Sequence, residues 1–256
     1  MENTEFLDFI RQNHRKRLLI GGHRGHLSET RENTIPNFEE VLTFGVDYME
    51  IDIQLSGDDQ AVIFHDKDLS EKTPLTGKVR DHSVKALKSS FDLCTLDEAI
   101  AWCKAKRMRI MLEIKSKDYR PEERSILAGK IADAIQRNRY QAGCILLSID
   151  YEILRMIKDA IPEIPLALIV SKKPDDPAAL MKQMRASVYL SYLEDLDKDL
   201  VELLHQAGYW VDGSVVNTKA QLECALSLKV DMIESDFPDQ ILELYNVINK
   251  QEAIHE

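Results

Sequence analysis

Two short apolar runs of this 256-residue chain carry ionisable side chains at alternate positions. Glu50 and Asp52 alternate with apolar residues in YMEIDIQL, and Glu113 and Lys115 do the same in MRIMLEIK. Alternate residues of a β-strand project to one face, so each pair would share a face opposite the apolar residues. Three carboxylates on adjacent strands repel one another without a cation, and such hard oxygen ligands favour Mg²⁺ or Ca²⁺ over zinc. The spacing therefore predicts a divalent-metal site at Glu50, Asp52 and Glu113.

Two histidines accompany this acidic set, in the run HRG that begins at His23 and in the pair HD that begins at His65. Imidazole changes charge near neutral pH, so His23 and His65 are suited to act as general base and general acid on opposite sides of a scissile bond. The three carboxylates together with Arg24 and Lys115 carry one net negative charge, which a divalent cation would turn into one net positive charge. The charge count thus predicts a metal if the substrate is an anion such as a phosphodiester.

Eight runs rich in apolar and β-branched residues recur along the chain and predict buried strands. They lie at 17–22, 48–55, 108–114, 144–148, 165–170, 187–191, 209–215 and 231–235. Amphipathic helical patterns alternate with them, at 35–44, 96–106, 121–138, 151–160, 175–185, 197–207, 218–228 and 239–249. This alternation predicts an α/β fold, a (β/α)8 TIM barrel, over an open doubly wound sheet. No linker interrupts the pattern, so residues 1–256 are expected to form one domain, with its active-site face at the C-terminal ends of the strands.

One further run, AVIFH at 61–65, follows the second strand too closely for a parallel crossover. We expect it to return as the second arm of a β-hairpin whose turn lies near Asp58. Antiparallel pairing would place His65 level with about Ile51, beside Glu50 and Asp52. The hairpin extension after the second strand would thus deliver an imidazole to the predicted metal site.

Composition limits the classes of function. The 33 Lys and Arg residues face 44 Asp and Glu residues, and the net charge of −11 disfavours binding to nucleic acid. No run approaches the roughly 18 apolar residues of a membrane span, and no export leader is expected. The four cysteines form no C-x-x-C pair, which indicates free thiols in a reducing compartment. These features predict a cytoplasmic protein without a membrane span and without a nucleic-acid partner.

The motifs named above, in their order and spacing, resemble the glycerophosphodiester phosphodiesterase family. They are HRG at 23–25, ENT at 32–34, ExD at 50–52, HD at 65–66 and ExK at 113–115, with weaker matches in SID at 148–150, VN at 216–217 and SDFP at 235–238. The resemblance implies a barrel hydrolase that uses one divalent cation, Mg²⁺ or Ca²⁺, to cleave small glycerophosphodiesters to sn-glycerol 3-phosphate and an alcohol. It implies metal ligation by Glu50, Asp52 and Glu113, acid/base catalysis by His23 and His65, and phosphate contacts by Arg24 and Lys115.

Other residues are expected to have structural roles. Asn33 and Thr34 would order a loop and cap the first barrel helix, and Asp66 would cap a turn. A helix before the first strand would close the bottom of the barrel. Four histidines are expected on the surface or in loops, namely His14, His26, His82 and His205.

Two stretches bear on the substrate. The family often has Trp-Thr-Val-Asn at the end of the seventh strand, and this chain has Ser214-Val215-Val216-Asn217 there. Loss of the aromatic wall is expected to reshape the pocket beside the glycerol or the leaving group. Residues 67–93 are predicted to form a short loop with little apolar surface, which would offer no cap for a long lipid chain.

Several alternatives use the same residues. The site would also suit a lysophospholipase D-like enzyme, or a phosphodiesterase in which the substrate's own hydroxyl attacks and a cyclic phosphate forms. A lyase barrel could use Lys115 as a Schiff-base amine, although the neighbouring carboxylates would keep that lysine protonated. A binding barrel without catalysis would keep the site only as a ligand pocket.

Overall fold

The computed structural model describes residues 6–255, in which nine strands alternate with ten α-helices. The strands are β1 (Leu19–Gly22), β2 (Tyr48–Leu55), β3 (Ala61–Ile63), β4 (Arg109–Ile114), β5 (Cys144–Ser148), β6 (Leu166–Ile169), β7 (Val188–Ser191), β8 (Trp210–Gly213) and β9 (Met232–Ser235). The helices are α1 (Phe6–Asn13), α2 (Ile35–Phe44), α3 (Val84–Ser90), α4 (Leu96–Lys106), α5 (Pro121–Asn138), α6 (Tyr151–Ala160), α7 (Pro177–Met184), α8 (Lys198–Gln206), α9 (Lys219–Leu228) and α10 (Pro238–His255). None of the helices in this described part is long and apolar enough to cross a membrane.

Eight of the strands close into a parallel barrel. The order around it is β1-β9-β8-β7-β6-β5-β4-β2, and β2 pairs with β1 to complete the ring. Apolar side chains on the outer faces of the strands pack against the helices in a large outer core. This architecture confirms the predicted (β/α)8 TIM barrel, and it brings the C-terminal strand ends to one mouth.

The hairpin extension is also confirmed. β3 runs antiparallel to β2, with Ile53 opposite Ile63 and Leu55 opposite Ala61. The backbone N–H of Phe64 donates to the carbonyl of Asp52 at 3.0 Å. Continuing this register by one residue places His65 opposite Ile51, as the run of alternating residues predicts.

The N-terminal helix closes the end of the barrel opposite the mouth. Phe6 and Ile10 on α1 are buried against the lowest inward-facing residues of the strands, including Leu19, Tyr48 and Met111. Because α1 presents its apolar side to the barrel, the bottom is sealed without a further element. The expectation of a helix at this end is confirmed.

The segment from 67 to 93 differs from the expected short loop with little apolar surface. It contains two short 3₁₀ turns and α3, and Leu69, Val79 and Leu87 on them are fully buried. These side chains pack with Val62 and Phe64 of the hairpin in a separate small core. The prediction was wrong because the apolar residues stand singly among polar ones, and irregular turns bring them together. The small core holds the hairpin arm that ends at His65.

Candidate active site

Three carboxylates from two neighbouring strands meet inside the barrel mouth. Asp52 on β2 lies opposite Glu113 on β4. Glu50 lies on the same face of β2, two residues earlier and deeper in the barrel. The side chains of Glu50 and Asp52 are each only 1% exposed. One oxygen from each of Glu50, Asp52 and Glu113 lies within 4.8 Å of the other two. The structure therefore brings together the three residues that the strand pattern singled out.

The local environment leaves Glu50 with an unbalanced charge. Its Oε2 accepts a hydrogen bond from the backbone N–H of Arg24 at 3.0 Å, while its buried Oε1 has no hydrogen-bond partner. Burial, together with Asp52 and Glu113, raises the pKa of Glu50 well above its usual range. A buried acceptor without a donor is costly. This oxygen is therefore suited to a cation.

Asp52 is the better balanced of the two buried carboxylates. Burial alone would raise its pKa, but Lys115, His65 and Arg24 outweigh that effect and lower it. Asn33 adds a side-chain hydrogen bond from Nδ2 to Oδ2 at 2.8 Å, and its Oδ1 accepts from the Asp52 N–H at 3.1 Å. Asn33 was expected to order a loop; its N–H donates to the Arg24 carbonyl at 2.9 Å, and its side chain also holds Asp52 directly.

Lys115 reaches over the acidic set from the end of β4. Its Nζ lies 3.0 Å from Asp52 Oδ1 and 2.7 Å from Glu113 Oε1. Burial opposes the charge on this ammonium group, but Asp52, Glu113 and Glu50 outweigh it and raise the pKa of Lys115. The lysine is a fixed positive charge at the rim of the carboxylate cluster.

His23 is held by a carboxylate from the far end of the chain. Its Nδ1 lies 2.6 Å from Asp236 Oδ1, and Asn217 Nδ2 donates to Asp236 Oδ2 at 2.6 Å. Because a carboxylate only accepts, Nδ1 donates to it and Nε2 is left as the acceptor in the neutral ring. That nitrogen faces the metal-site carboxylates, 4.0 Å from Glu50 Oε2.

His65 is oriented in the same manner by its neighbour in sequence. Nδ1 lies 2.7 Å from Asp66 Oδ1, and Nε2 lies 2.8 Å from a guanidinium nitrogen of Arg24. A guanidinium can only donate, so Nε2 accepts from Arg24 in this arrangement. Arg24 is anchored in turn by Glu32 at 3.3 Å. Asp66 was expected to cap a turn, whereas its carboxylate binds the His65 ring.

Asp236 and Asn217, which orient His23, lie in the weak motif matches but were given no role from the sequence, and two further buried carboxylates were missed. Asp212 on β8 and Glu234 on β9 face the barrel interior, where each is at most 4% exposed. The Tyr48 hydroxyl donates to Asp212 Oδ2 at 3.1 Å. Burial raises the pKa of Asp212 to about 6, and burial together with Asp212 and Glu50 raises that of Glu234 well above its usual range. The signal was present, since both acids alternate with apolar residues in WVDG and MIES.

Ser214 stands where the family often has tryptophan. Its hydroxyl donates to Asp212 in a short hydrogen bond and accepts from the Glu234 N–H at 2.8 Å. The side chain is 4% exposed. Its hydroxyl therefore links the buried Asp212 to the backbone of β9.

Two of the four histidines expected on the surface or in loops are buried. His26 is 7% exposed and bonds Glu40 at 2.8 Å. The His205 side chain is 2% exposed, and its Nε2 lies 2.8 Å from Asp231 at the bottom of the barrel. His26 lies in the loop between β1 and α2, as expected, although it is buried there. The prediction was wrong for His205, which lies on α8 and has a carboxylate partner that spacing along the chain does not reveal.

The oxygen donor set fits a hard divalent cation. Glu50, Asp52 and Glu113 offer carboxylate oxygens in a small volume, and Glu50 Oε1 lacks any donor among the described residues. Two oriented imidazoles and two basic side chains surround this set. The arrangement is suited to polarise an anionic ester and to move protons on either side of it.

Comparison with known proteins gives consistent matches. The model of the "Glycerophosphoryl diester phosphodiesterase family" matches residues 23–240. A glycerophosphodiester phosphodiesterase of Bacillus altitudinis is 25% identical over 240 residues, covering 88% of this chain and 97% of that protein. Lysophospholipase D GDPD1 of Mus musculus is 23% identical over 269 residues, covering 88% and 85%. A phosphodiesterase structure from Oleispira antarctica, in complex with the product sn-glycerol-3-phosphate, superimposes with a TM-score of 0.83 at 23% identity, covering 89% of this chain and 96% of that one.

Proposed function

This chain belongs to the glycerophosphoryl diester phosphodiesterase family, and from that premise we propose that it hydrolyses glycerophosphodiesters to sn-glycerol 3-phosphate and an alcohol with the help of one divalent cation. The observation that carries the proposal is the set of three carboxylates within 4.8 Å, flanked by two histidines that are each held by a carboxylate. The expected substrates are small glycerophosphodiesters. A cytoplasmic location stays a prediction from the sequence.

Glu50, Asp52 and Glu113 are the residues proposed to hold the cation. When bound there, Mg²⁺ or Ca²⁺ would supply Lewis-acid polarisation of the phosphate and lower the pKa of an oxygen nucleophile. The unpartnered Oε1 of Glu50 supports this assignment, because a buried carboxylate oxygen without a donor gains most from a cation. The positive charge would also offset the burial and the repulsion from Asp52 and Glu113 that now raise the Glu50 pKa.

Arg24 and Lys115 are proposed to contact the phosphate. In the substrate-free arrangement the Arg24 guanidinium is hydrogen-bonded to His65 Nε2 at 2.8 Å. A phosphate anion is a stronger acceptor for guanidinium than a neutral imidazole. Arg24 would therefore turn to the substrate on binding and release the lone pair of His65 for proton transfer.

His23 and His65 are proposed as the acid/base pair. One imidazole, neutral in the reactive state, accepts the proton of the attacking hydroxyl group at Nε2, and the other, already protonated at Nε2 as an imidazolium, donates that proton to the departing alcohol oxygen. Asp236 and Asp66 hold the two Nδ1–H groups and stabilise each imidazolium while it exists. The attacking hydroxyl belongs either to water or to the substrate's own glycerol, and in the second case a cyclic phosphate precedes the product.

The Schiff-base lyase is disfavoured by one specific observation. Asp52 and Glu113 raise the pKa of Lys115 over the opposing effect of burial, so the amine is protonated and not nucleophilic. Lysophospholipase D activity stays as the second candidate, because curated relatives with that name match 88% of this chain.

The test is release of sn-glycerol 3-phosphate from glycerophosphocholine by the full-length protein. We expect turnover with Mg²⁺ or Ca²⁺, its loss after EDTA treatment, and its recovery when the cation is restored. Undiminished turnover in EDTA would contradict the metal proposal. A panel that includes lysophosphatidylcholine tests the substrate class, since exclusive turnover of the lysophospholipid would overturn the small-substrate proposal.

Phosphorus NMR during the reaction distinguishes the two nucleophiles. Transient accumulation of a cyclic glycerophosphate indicates attack by the substrate's hydroxyl. Single-turnover reaction in ¹⁸O-labelled water, with label in the first phosphate species formed, indicates direct hydrolysis.

A further inference from the structure

The inner face of β7 stays apolar up to the mouth. Val188 and Leu190 pack in the barrel interior, whereas Tyr189 packs in the outer core. The chain remains extended at Tyr192, with φ −58° and ψ 142°, and the following Leu193 packs in the outer core. Alternation therefore directs the Tyr192 side chain inward at the mouth. The ring is 58% exposed there.

The two strands beside β7 continue the apolar surface. On β5, Ile145 and Leu147 pack in the interior, so the next inward residue at the mouth is Ile149, which is 36% exposed. Ile169 ends β6, between β5 and β7, and packs against the same interior cluster. The side chains Ile149, Ile169 and Tyr192 thus line three adjacent strand ends, and we call them the apolar wall.

The opposite side of the mouth is charged. His23, Asp52, Lys115 and Asp236 occupy the ends of β1, β2, β4 and β9, which are consecutive in the other half of the ring. The phosphate-binding and metal-binding groups proposed above all lie on this side. A bound diester therefore has one neighbour rich in charged side chains and one neighbour formed mainly by aliphatic and aromatic side chains.

We propose that the apolar wall binds the alcohol half of the substrate, with Tyr192 as the residue that determines leaving-group specificity. The wall selects alcohols that present methyl groups, such as choline, over alcohols that present hydroxyl groups. This inference rests on the proposed phosphodiesterase function and names the substrate class of that same site.

Hydrogen-bonding capacity decides the orientation. The two hydroxyls of the glycerol half need polar partners, which cluster on the charged side, so we place the glycerol half there. The other half of the diester then lies against Ile149 and Tyr192. Hydroxyl groups placed on that surface would lose water without gaining a partner, whereas a methylated ammonium group gains contact with the aliphatic side chains and the face of the tyrosine ring.

The experiment compares kcat/KM for three glycerophosphodiesters whose alcohols are choline, ethanolamine and glycerol. The ethanolamine diester separates the effect of positive charge from that of the methyl groups. We expect the choline diester to exceed the glycerol diester by about tenfold, with the ethanolamine diester between them. In Tyr192→Ser we expect kcat/KM for the choline diester to fall by about tenfold, mainly through KM, with the glycerol diester changed less than about twofold.

Two variants serve as controls. Tyr192→Phe keeps the ring and should keep the preference for choline. Leu203→Ser replaces an apolar side chain that is 44% exposed on α8, away from the mouth, and should change neither substrate. An equal loss of kcat/KM for all three substrates in Tyr192→Ser, or no loss for any of them, overturns this inference. The proposed phosphodiesterase function still stands in that case, provided that the wild-type protein turns the diesters over. If the wild-type protein turns over none of the three diesters, the proposed function itself fails.

Discussion

Histidine–aspartate hydrogen bonds lie at both ends of this barrel, and the two ends differ in the groups that surround the bonded rings. At the mouth, His23 and His65 each bind a carboxylate of their own through Nδ1. The Nε2 atom of His23 then faces Glu50, which a cation would bind, and that of His65 faces Arg24, which a substrate phosphate would draw away. Buried Glu50 Oε1 beside them has no donor at all.

At the bottom, two imidazoles share one carboxylate. His14 Nδ1 makes a short hydrogen bond to Asp231 Oδ1, His205 Nε2 lies 2.8 Å from Oδ2, and the Val211 N–H also donates to Oδ2 at 2.8 Å. The two rings meet edge to face, with centroids 4.7 Å apart. Both oxygens of Asp231 are therefore satisfied within the fold. Among the described residues, the pairs at the mouth differ from those at the bottom in lying beside a buried carboxylate oxygen, Glu50 Oε1, that has no hydrogen-bond partner.

The largest effect that tests this comparison is loss of either mouth imidazole. We expect His23→Ala and His65→Ala each to lower kcat about 100-fold or more, because each removes a proton-transfer group. Thermal unfolding of both variants should stay close to that of the wild type, since both rings are partly exposed at the mouth. Near-normal kcat in both variants would refute the acid/base assignment.

At the bottom, a variant in the cluster of His14, His205 and Asp231 should lose stability and keep kcat. His205→Leu removes one of the two imidazoles from the buried Asp231 carboxylate, and we expect the free energy of unfolding to fall by about 2 kcal/mol. The kcat of the folded variant should be that of the wild type. Urea unfolding and steady-state kinetics measure the two quantities on one preparation. A loss of kcat at unchanged stability would mean that the two ends are not functionally separate.

The sequence alone predicts one end of this comparison much better than the other. Glu50 and Asp52 share a face because they are two positions apart on a strand, and the hairpin brings His65 to them within a few residues. These are local relations that strand geometry fixes. The TIM barrel itself follows from alternation of the same kind over the whole length.

Partners that meet only through closure of the barrel are not local. His23 lies 213 positions from Asp236, and His14 lies 217 positions from Asp231. A closed barrel places β9 beside β1, but periodicity does not specify which side chains at the two strand ends meet. Asp231 is also the partner of His205, whose burial was missed, and the role of Asp236 was seen only as a weak motif match.

Loss of the hydrogen bond from His23 to Asp236, which directly follows β9, should have a smaller effect. Asp236→Asn keeps the size of the side chain but removes the charge that holds His23 Nδ1–H. We expect kcat to fall about tenfold, because the imidazolium formed on His23 during proton transfer loses its counter-charge. Combining Asp236→Asn with His23→Ala should add little to the loss in His23→Ala alone. Fully additive losses would show that Asp236 acts independently of His23.

The smallest effect concerns Glu234, one of the buried acids on the mouth side of the barrel. At the bottom, by contrast, both oxygens of the buried Asp231 have hydrogen-bond partners. Burial, Asp212 and Glu50 raise the pKa of Glu234 well above 4.5, its ordinary value. Below that pH the carboxyl is protonated in both folded and unfolded chains and stability is unaffected. As the pH rises above 4.5 the unfolded chain ionises first, so the folded state of the metal-free protein loses stability progressively.

Glu234→Gln removes this titration while keeping the shape of the side chain. We expect the variant to exceed the wild type by about 1 kcal/mol in unfolding free energy at pH 7.5, and to match it near pH 4.5, when both are measured by urea unfolding in EDTA. The matched change at the bottom is Glu202→Gln, an exposed acid that pairs with Arg15 at 3.2 Å. It should show no such pH-dependent gain, because its charge is already solvated. A gain of equal size in both variants would mean that net charge, and not the buried acids of the mouth side, limits stability.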